Sequence, residues 1–335
     1  HEVSATQMAD GYARSGKGLG VVISSTGPGA SLTVSPLLEA YYSCSPVLSM
    51  TSNIPINFIG QGKGTLHEFN SQDVLFKEVT KKTYSVRSTE NVKAQVEDIV
   101  QTALSGRRGP VYLEVPVNFW AEEATGETSS VSSLAEGTVP DLAAAVQLLA
   151  KAKRPMIIAG IEAVRANLGE TILKIADLLQ APVMTDTNGK GLIPEDHPLS
   201  FGVTVARGVP RELHKTADVT LSIGSRLRQN DHERRSITMP NLIHIDWDET
   251  WVNKNYPAEI SLIGDVEKIV VGLTDALKSE PLAVDQAVMA DMIKRQKEEL
   301  SNWDRTDLEA QYIDAIRKVL PREGKLVGDS TILAY

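Results

Sequence analysis

Cys44 is the only cysteine in 335 residues, so the chain has no intrachain disulfide and no multi-cysteine metal site, and a reducing cytoplasm is the expected compartment. Its apolar neighbours predict a buried structural thiol rather than a nucleophile. Basic residues are in deficit, 34 Lys and Arg against 43 Asp and Glu, which leaves a net charge of -9. No basic stripe with interleaved aromatics occurs, which argues against nucleic acid or an anionic membrane as the main partner. No apolar run reaches membrane-spanning length, and nothing at the start has the pattern of a signal peptide. There is no initiator Met. A chain that opens on a helical pattern at His1 and stops soon after Gly328-Asp329-Ser330-Thr331 is expected to be cut at both ends.

Several catalytic signatures are missing as well. No Gly-x-Ser-x-Gly elbow is present, since Gly224-Ser225 runs on into Arg226-Leu227, so hydrolase chemistry is not indicated. The six histidines form no i,i+4 pair flanking an acid, and no metal ligands are predicted. Without a Walker motif, phosphoryl transfer has no support. Without Gly-x-Gly-x-x-Gly, a dinucleotide site would have little.

What is present is an alternation of helical and strand patterns, built on 42% hydrophobic residues, in a chain long enough for two domains. Residues 1–14 predict a short helix with Val3, Met8, Tyr12 and the alanines on one face, and with Glu2 as an acid in its first turn. Gly18 to Ile23 predicts a buried strand that empties into the turn Gly27-Pro28-Gly29. Pro46 to Thr51 predicts another strand. The irregular stretch from Ser52 to Ser71 holds Gly60-Gln61-Gly62-Lys63-Gly64-Thr65-Leu66-His67-Glu68, and loops of this kind tend to carry function. A helix over Glu90 to Ser105 and a strand over Val111 to Val117 follow. From Glu122 to Val139 the Glu, Thr, Ser and Gly content predicts a linker.

Beyond it come helices at Asp141–Ala152 and Leu168–Leu179 and strands at Met156–Ala159, Pro182–Thr185, Thr220–Ile223 and Leu242–Asp246. After Gly272 the chain is helical and charged to about Lys318, and Lys325 to Val327 begins a further strand. The expected fold class is α/β, two doubly wound parallel-sheet domains with helices on both faces. The boundaries read as 1–121, an N-terminally incomplete first domain; 122–139, linker; 140–280, a Rossmann-like central domain; 281–323, helical connector; and 324–335, the truncated start of a third domain.

Several of these stretches, in order, resemble one family. His1-Glu2 through Arg14, Thr26-Gly27-Pro28-Gly29-Ala30, Glu39-Ala40-Tyr41, Val79-Thr80-Lys81 and Gly109-Pro110-Val111-Tyr112-Leu113-Glu114-Val115-Pro116 resemble the pyrimidine-binding domain of thiamine-diphosphate enzymes of the acetolactate synthase and 2-oxo acid decarboxylase type. Thr187-Asn188-Gly189-Lys190-Gly191, His197-Pro198-Leu199, Ile223-Gly224-Ser225-Arg226-Leu227, Ile243-His244-Ile245-Asp246 and Gly264-Asp265 resemble its central domain. The resemblance covers essentially the whole chain.

It implies a task for Glu2: to hold N1′ of the aminopyrimidine and shift the ring to its imino form, so that the 4′-imino nitrogen takes the proton from thiazolium C2. The cofactor's ylide then does the carbon chemistry. The residues alone leave Glu2 as a helix-opening acid. The resemblance makes Gly27, Pro28 and Gly29 the turn on which the aminopyrimidine rests, where glycine permits close backbone approach. The Ala-Thr-Asn that commonly follows is here Ala30-Ser31-Leu32, so no contact of that asparagine transfers. His67 and Glu68 stand where relatives place a Gln-containing motif over the thiazolium. They look more like decarboxylases of the guanidino 2-oxo acid type, with Gly64 as an added residue. There His67 would relay a proton and Glu68 would pair with a cationic tail; the residues alone equally allow a solvent-facing or turn-capping pair.

Arg226, Asp246 and Asp265 match the neighbourhood that acetolactate synthases use for FAD. The family's Gly-Ala-Arg-Phe-Asp-Asp-Arg has become Gly224 to Asn230, which weighs against flavin and toward a domain kept for architecture. Magnesium is implied on a diphosphate-binding domain whose Gly-Asp-Gly and downstream Asn are missing here, so the fragment alone is expected to be inactive. The resemblance further implies a homodimer or homotetramer with its active site at the subunit interface. The function implied is acetolactate synthase-like decarboxylation and carboligation of a 2-oxo acid through the ylide and an enamine. The alternatives are simple 2-oxo acid decarboxylation and a non-catalytic nucleotide-binding module.

Overall fold

The computed structural model describes residues 1–16, 18–126, 137–204, 211–228, 238–301, 308–322 and 324. The expected third-domain strand and the Gly328-Asp329-Ser330-Thr331 motif lie outside the described residues, as do Gln229, Asn230 and the middle of the expected linker. The chain divides into two compact units. The first is His1–Pro140 with Asp246–Trp251 and Ile263–Ile269, and the second is Asp141–Ile245 with Val252–Leu262 and Val270–Tyr335.

The first unit is built on β1 (Gly20–Ser24), β2 (Val47–Asn53), β3 (Thr83–Ser85) and β4 (Val111–Pro116), in the order β1-β2-β4-β3 with every pair parallel. Its helices are α1 (Glu2–Arg14), α2 (Pro28–Tyr42) and α3 (Val92–Leu104). Successive strand residues face opposite sides, and the core divides accordingly. Val22, Val47 and Tyr112 pack with Ala9 and Ala13 of α1, Leu37 and Ala40 of α2, and Phe76. Leu48, Val111 and Leu113 pack on the other side with Ile99 and Ala103 of α3. This is the doubly wound arrangement expected, because parallel strands need crossover helices and the helices cover both faces.

Two expectations are corrected. The buried face of α1 is Thr6, Ala9, Asp10 and Ala13, whereas Met8 and Tyr12 are 74% and 48% exposed. Small residues are required there because α1 lies directly on the sheet: a Cβ at Gly20 would stand 2.1 Å from the Ala9 carbonyl oxygen. The strand β1 is only half buried, since it forms an edge of the sheet and leaves Val21 and Ile23 exposed. Cys44 is buried outside any disulfide.

The second unit carries β5 (Pro155–Ala159), β6 (Val183–Thr185), β7 (Ser200–Val203), β8 (Val219–Ile223), β9 (Leu242–Asp246) and β10 (Ile260–Ile263). Their order is β10-β9-β8-β5-β6-β7, and the registered pairs are parallel. The strands β5, β6, β8 and β9 are buried along their whole length, β5 as a continuous apolar run and β8 and β9 with Thr220, Ser222, His244 and Asp246 buried among apolar residues. Helices α4 (Ala143–Ala150), α5 (Ile161–Arg165), α6 (Gly169–Leu179) and α7 (Arg211–Thr216) connect them. Helices α8 (Val266–Leu277), α9 (Gln286–Ser301) and α10 (Leu308–Val319) follow β10. Order reverses between β5 and β8, so Gly160 and Gly224 stand at the switch point where α/β sheets place ligands. Among the described residues no helix is long and apolar enough to cross a membrane.

Candidate functional site

The site of the first unit forms at the C-terminal end of β1. Gly27 takes φ 63° and ψ -117°, a conformation that costs glycine little and other residues much, and Pro28 follows at the first position of α2. The turn is tight on both sides. A Cβ at Gly27 would lie 2.6 Å from the His67 Cβ and 2.7 Å from the His67 carbonyl oxygen. One at Gly29 would lie 2.4 Å from Ser25 Oγ and 3.3 Å from Glu2 Oε1. Glycine here therefore lets the Glu2 carboxylate come close to the turn, and Gly29 itself is buried. Glu2 sits in the first turn of α1, half buried, and among the described residues its side chain has no hydrogen-bond or ion-pair partner.

Other nearby acids are taken up by the protein. Glu68 accepts from the Gly62 N–H at 2.9 Å through Oε1 and from the Thr65 N–H at 2.9 Å through Oε2, so its carboxylate builds the loop. Buried Glu114 accepts from the Ser85 hydroxyl at 2.6 Å and from the Tyr112 hydroxyl at 3.3 Å. The Tyr112 phenol is pushed above its ordinary range, first by burial and then by the Glu114 charge. His67 is exposed and held at φ 66°, with its backbone against Gly27. Glu2, His67 and the Gly27–Gly29 turn thus come together, and Glu68 supports the loop that carries His67.

One residue had no signal in the sequence. Gln72 is 2% exposed and accepts at Oε1 from the Gly27 N–H at 2.8 Å and the Thr26 hydroxyl at 3.0 Å. It joins the turn to β2 and β4 through a local sequence, Asn70-Ser71-Gln72-Asp73, that looks like any polar loop.

Comparison with known proteins agrees with this geometry. The family model described as "Thiamine pyrophosphate enzyme, N-terminal TPP binding domain" matches residues 1–74, and "Thiamine pyrophosphate enzyme, central domain" matches residues 142–273. The chain belongs to the thiamine pyrophosphate enzyme family. It is 31% identical over its whole length to the "Probable 2-ketoarginine decarboxylase" of Pseudomonas aeruginosa, covering 60% of that protein. It is 30% identical to the "Probable acetolactate synthase large subunit" of Methanocaldococcus jannaschii, over 83% of this chain and 49% of that one. It is also 30% identical to the "Acetolactate synthase" of Arthrospira platensis, over 81% and 49%. The chain spans about half the length of the curated relatives it matches, 49% to 60% for these three.

In the central domain, described residues pack closely around Gly160 at the switch point between β5 and β8. A Cβ at Gly160 would lie 2.5 Å from the Gly224 carbonyl oxygen, 2.5 Å from Ser225 Cα and 2.6 Å from Asp186 Oδ2. The Glu162 N–H donates to the Gly224 carbonyl at 3.1 Å. Asp186 accepts from the Ser225 hydroxyl at 2.8 Å and from the Gly189 N–H at 2.8 Å. His244 Nε2 faces the Ser225 carbonyl oxygen at 2.8 Å, and because a carbonyl only accepts, Nε2 carries the proton. Burial holds this imidazole below its ordinary range, and the Ser225 hydrogen bond works weakly against it.

The three residues aligned with a flavin neighbourhood have local roles. Arg226 is 7% exposed and its carbonyl is within 3.4 Å of Asn255 Nδ2. Asp246 accepts from the Asp248 N–H at 2.9 Å, and Asp265 accepts from the Lys268 N–H at 3.1 Å in the first turn of α8. Among the described residues no group of three or more His, Cys, Asp or Glu is arranged to hold a metal ion.

Proposed function

We propose that this chain is the cofactor-activating part of a thiamine-diphosphate-dependent enzyme acting on 2-oxo acids, with decarboxylation followed by carboligation of the acetolactate synthase kind. The observation that carries it is the unpartnered Glu2 carboxylate facing the glycine surface at Gly29, where an added Cβ would stand 3.3 Å from Glu2 Oε1. That cradle fits the aminopyrimidine ring, which is flat, needs close backbone approach, and offers a ring nitrogen to an acid. When bound, thiamine diphosphate supplies the electron sink for loss of carbon dioxide from a 2-oxo acid.

The chain's own residues do the rest. Glu2 holds a proton at its carboxyl oxygen against the pyrimidine ring nitrogen, and the half-buried position limits competition from water. Gly27, Pro28 and Gly29 orient the ring by presenting backbone. His67, held against Gly27, stands as a proton carrier at the edge of the site.

A second reading, simple decarboxylation of a larger 2-oxo acid, is favoured by His67 at this position and by the relative that spans the whole chain. Both Glu68 oxygens are taken up by loop N–H groups, which removes one reason to expect a cationic substrate tail there. Magnesium and the diphosphate are assigned to a separate diphosphate-binding domain, and the active protein to a homodimer or homotetramer in the cytoplasm. The close packing around Gly160 and the Ser225–Asp186 hydrogen bond support an architectural central domain over one that binds FAD.

Products formed by the full-length protein from pyruvate decide between the readings. Acetolactate supports carboligation, and an aldehyde alone overturns it in favour of decarboxylation. Calorimetry with thiamine diphosphate and magnesium, and separately with FAD and with ADP, tests the cofactor. Heat from ADP alone would mark a nucleotide-binding module instead.

A further inference from the structure

We propose that Gln72 is the positioning residue of the glycine turn, holding Gly27–Gly29 in the shape that receives the cofactor; this rests on the reading of that turn as the thiamine seat. The orientation of its amide is fixed by its neighbours. The Gly27 N–H can only donate and the Ser52 carbonyl can only accept, so Oε1 faces Gly27 at 2.8 Å and Nε2 faces Ser52 at 3.0 Å. Nε2 also lies 3.1 Å from Thr51 Oγ1 and 2.9 Å from the Tyr112 hydroxyl.

One side chain thus ties the turn after β1 to β2 and to β4. Gln72 is itself held by the short 3-10 turn Asp73–Phe76 that follows, whose Phe76 ring stacks on Tyr112 at 3.5 Å and 6°. The turn needs such a tie. Gly27 is buried, α2 has no side-chain cap at its start, and Gln72 supplies the acceptor for the Gly27 N–H. Without it a buried donor is left unsatisfied beside a left-handed glycine, and the turn is free to relax. Gln72 faces Thr26 and Gly27 rather than the Glu2 side, so it acts through the backbone and not on the reacting atoms.

The test uses the full-length protein and the dissociation constant for thiamine diphosphate with magnesium, measured by calorimetry. Gln72→Leu is expected to weaken binding about tenfold or more. Gln72→Glu keeps an oxygen toward Gly27 and sets its other oxygen against the Ser52 carbonyl. Protonated, that oxygen donates as the amide did; ionised, it repels. The affinity of Gln72→Glu relative to wild type should therefore be closer to one at about pH 6 than at about pH 8, a dependence that a purely packing role would not produce. If Gln72→Leu does not fold, the Gln72→Glu series decides. Binding by both variants within about twofold of wild type at every pH overturns the inference. Failure of the wild-type protein to bind thiamine diphosphate would instead overturn the functional reading.

Discussion

Each unit has a parallel strand that ends on a glycine near a carboxylate, and the two ends have opposite fates. After β1, Gly29 admits the close approach of Glu2, whose carboxylate has no partner among the described residues. After β5, Gly160 lets the protein close on itself, and the nearby Asp186 carboxylate is held by Ser225 and the Gly189 N–H. The same topology therefore leaves a carboxylate without a partner among the described residues once and ties one into hydrogen bonds once. What separates them is whether the polar groups at the strand end are satisfied internally, which a strand-turn-helix pattern does not reveal.

The comparison is broken most strongly by Glu2→Gln in the full-length protein. Removing the acid should lower kcat by about 10²- to 10⁴-fold while thermal unfolding stays near wild type, because among the described residues the Glu2 side chain has no hydrogen-bond or ion-pair partner to lose. Near-normal turnover would show that the open end is not catalytic. Next come the glycines. Gly160→Ala should destabilise the second unit by about 2–4 kcal/mol in urea unfolding, since its Cβ meets backbone atoms of Gly224 and Ser225 at 2.5 Å. Gly29→Ala meets only the Ser25 side chain below 3 Å, so it should cost about 1 kcal/mol or less of stability and appear mainly as weaker thiamine diphosphate binding in calorimetry. Equal stability losses in the two variants would erase the distinction.

Asp186→Ala should cost about 1–3 kcal/mol of stability, by leaving the buried Ser225 hydroxyl without its acceptor while the Gly189 N–H keeps the residue 186 carbonyl, with cofactor affinity unchanged. The smallest effect is on pH dependence. His244 is buried and neutral, with its folded value held below its ordinary 6.5 by burial. The unfolded chain binds the extra proton first, so stability is full above about pH 6.5 and declines as pH falls below it. Urea midpoints at successive pH values should show that decline in wild type and less of it in His244→Gln.

The recognisable stretches and the missed ones differ in a physical way. Strands β5, β6, β8 and β9 are buried throughout and so appear in the sequence as short segments dominated by Val, Ile, Leu and Met between turns. Strands β3, β7 and β10 are buried only in part and mix Thr, Ser and Gly with their apolar residues, so no apolar segment marks them. For α1, an apolar count pointed to Val3, Met8, Tyr12 and the alanines; Ala9 and Ala13 are indeed buried, but the face chosen by the sheet is the small one, which joins them with Thr6 and Asp10. Close approach to Gly20 selects size over hydrophobicity.

The sequence by itself determined the α/β class, the positions of most strands along the chain, the acid at Glu2 and the Gly27-Pro28-Gly29 turn, because each is a local pattern of residue type and spacing. Only the tertiary structure decided which polar groups are free to act. It took Glu68 into its own loop, drew Asp186, Ser225 and His244 into a closed joint, set the carboxylate of Glu2 against bare backbone, and brought Gln72 from a plain polar loop to the turn's N–H. Those outcomes depend on distances between segments far apart in the chain, and no local pattern encodes them.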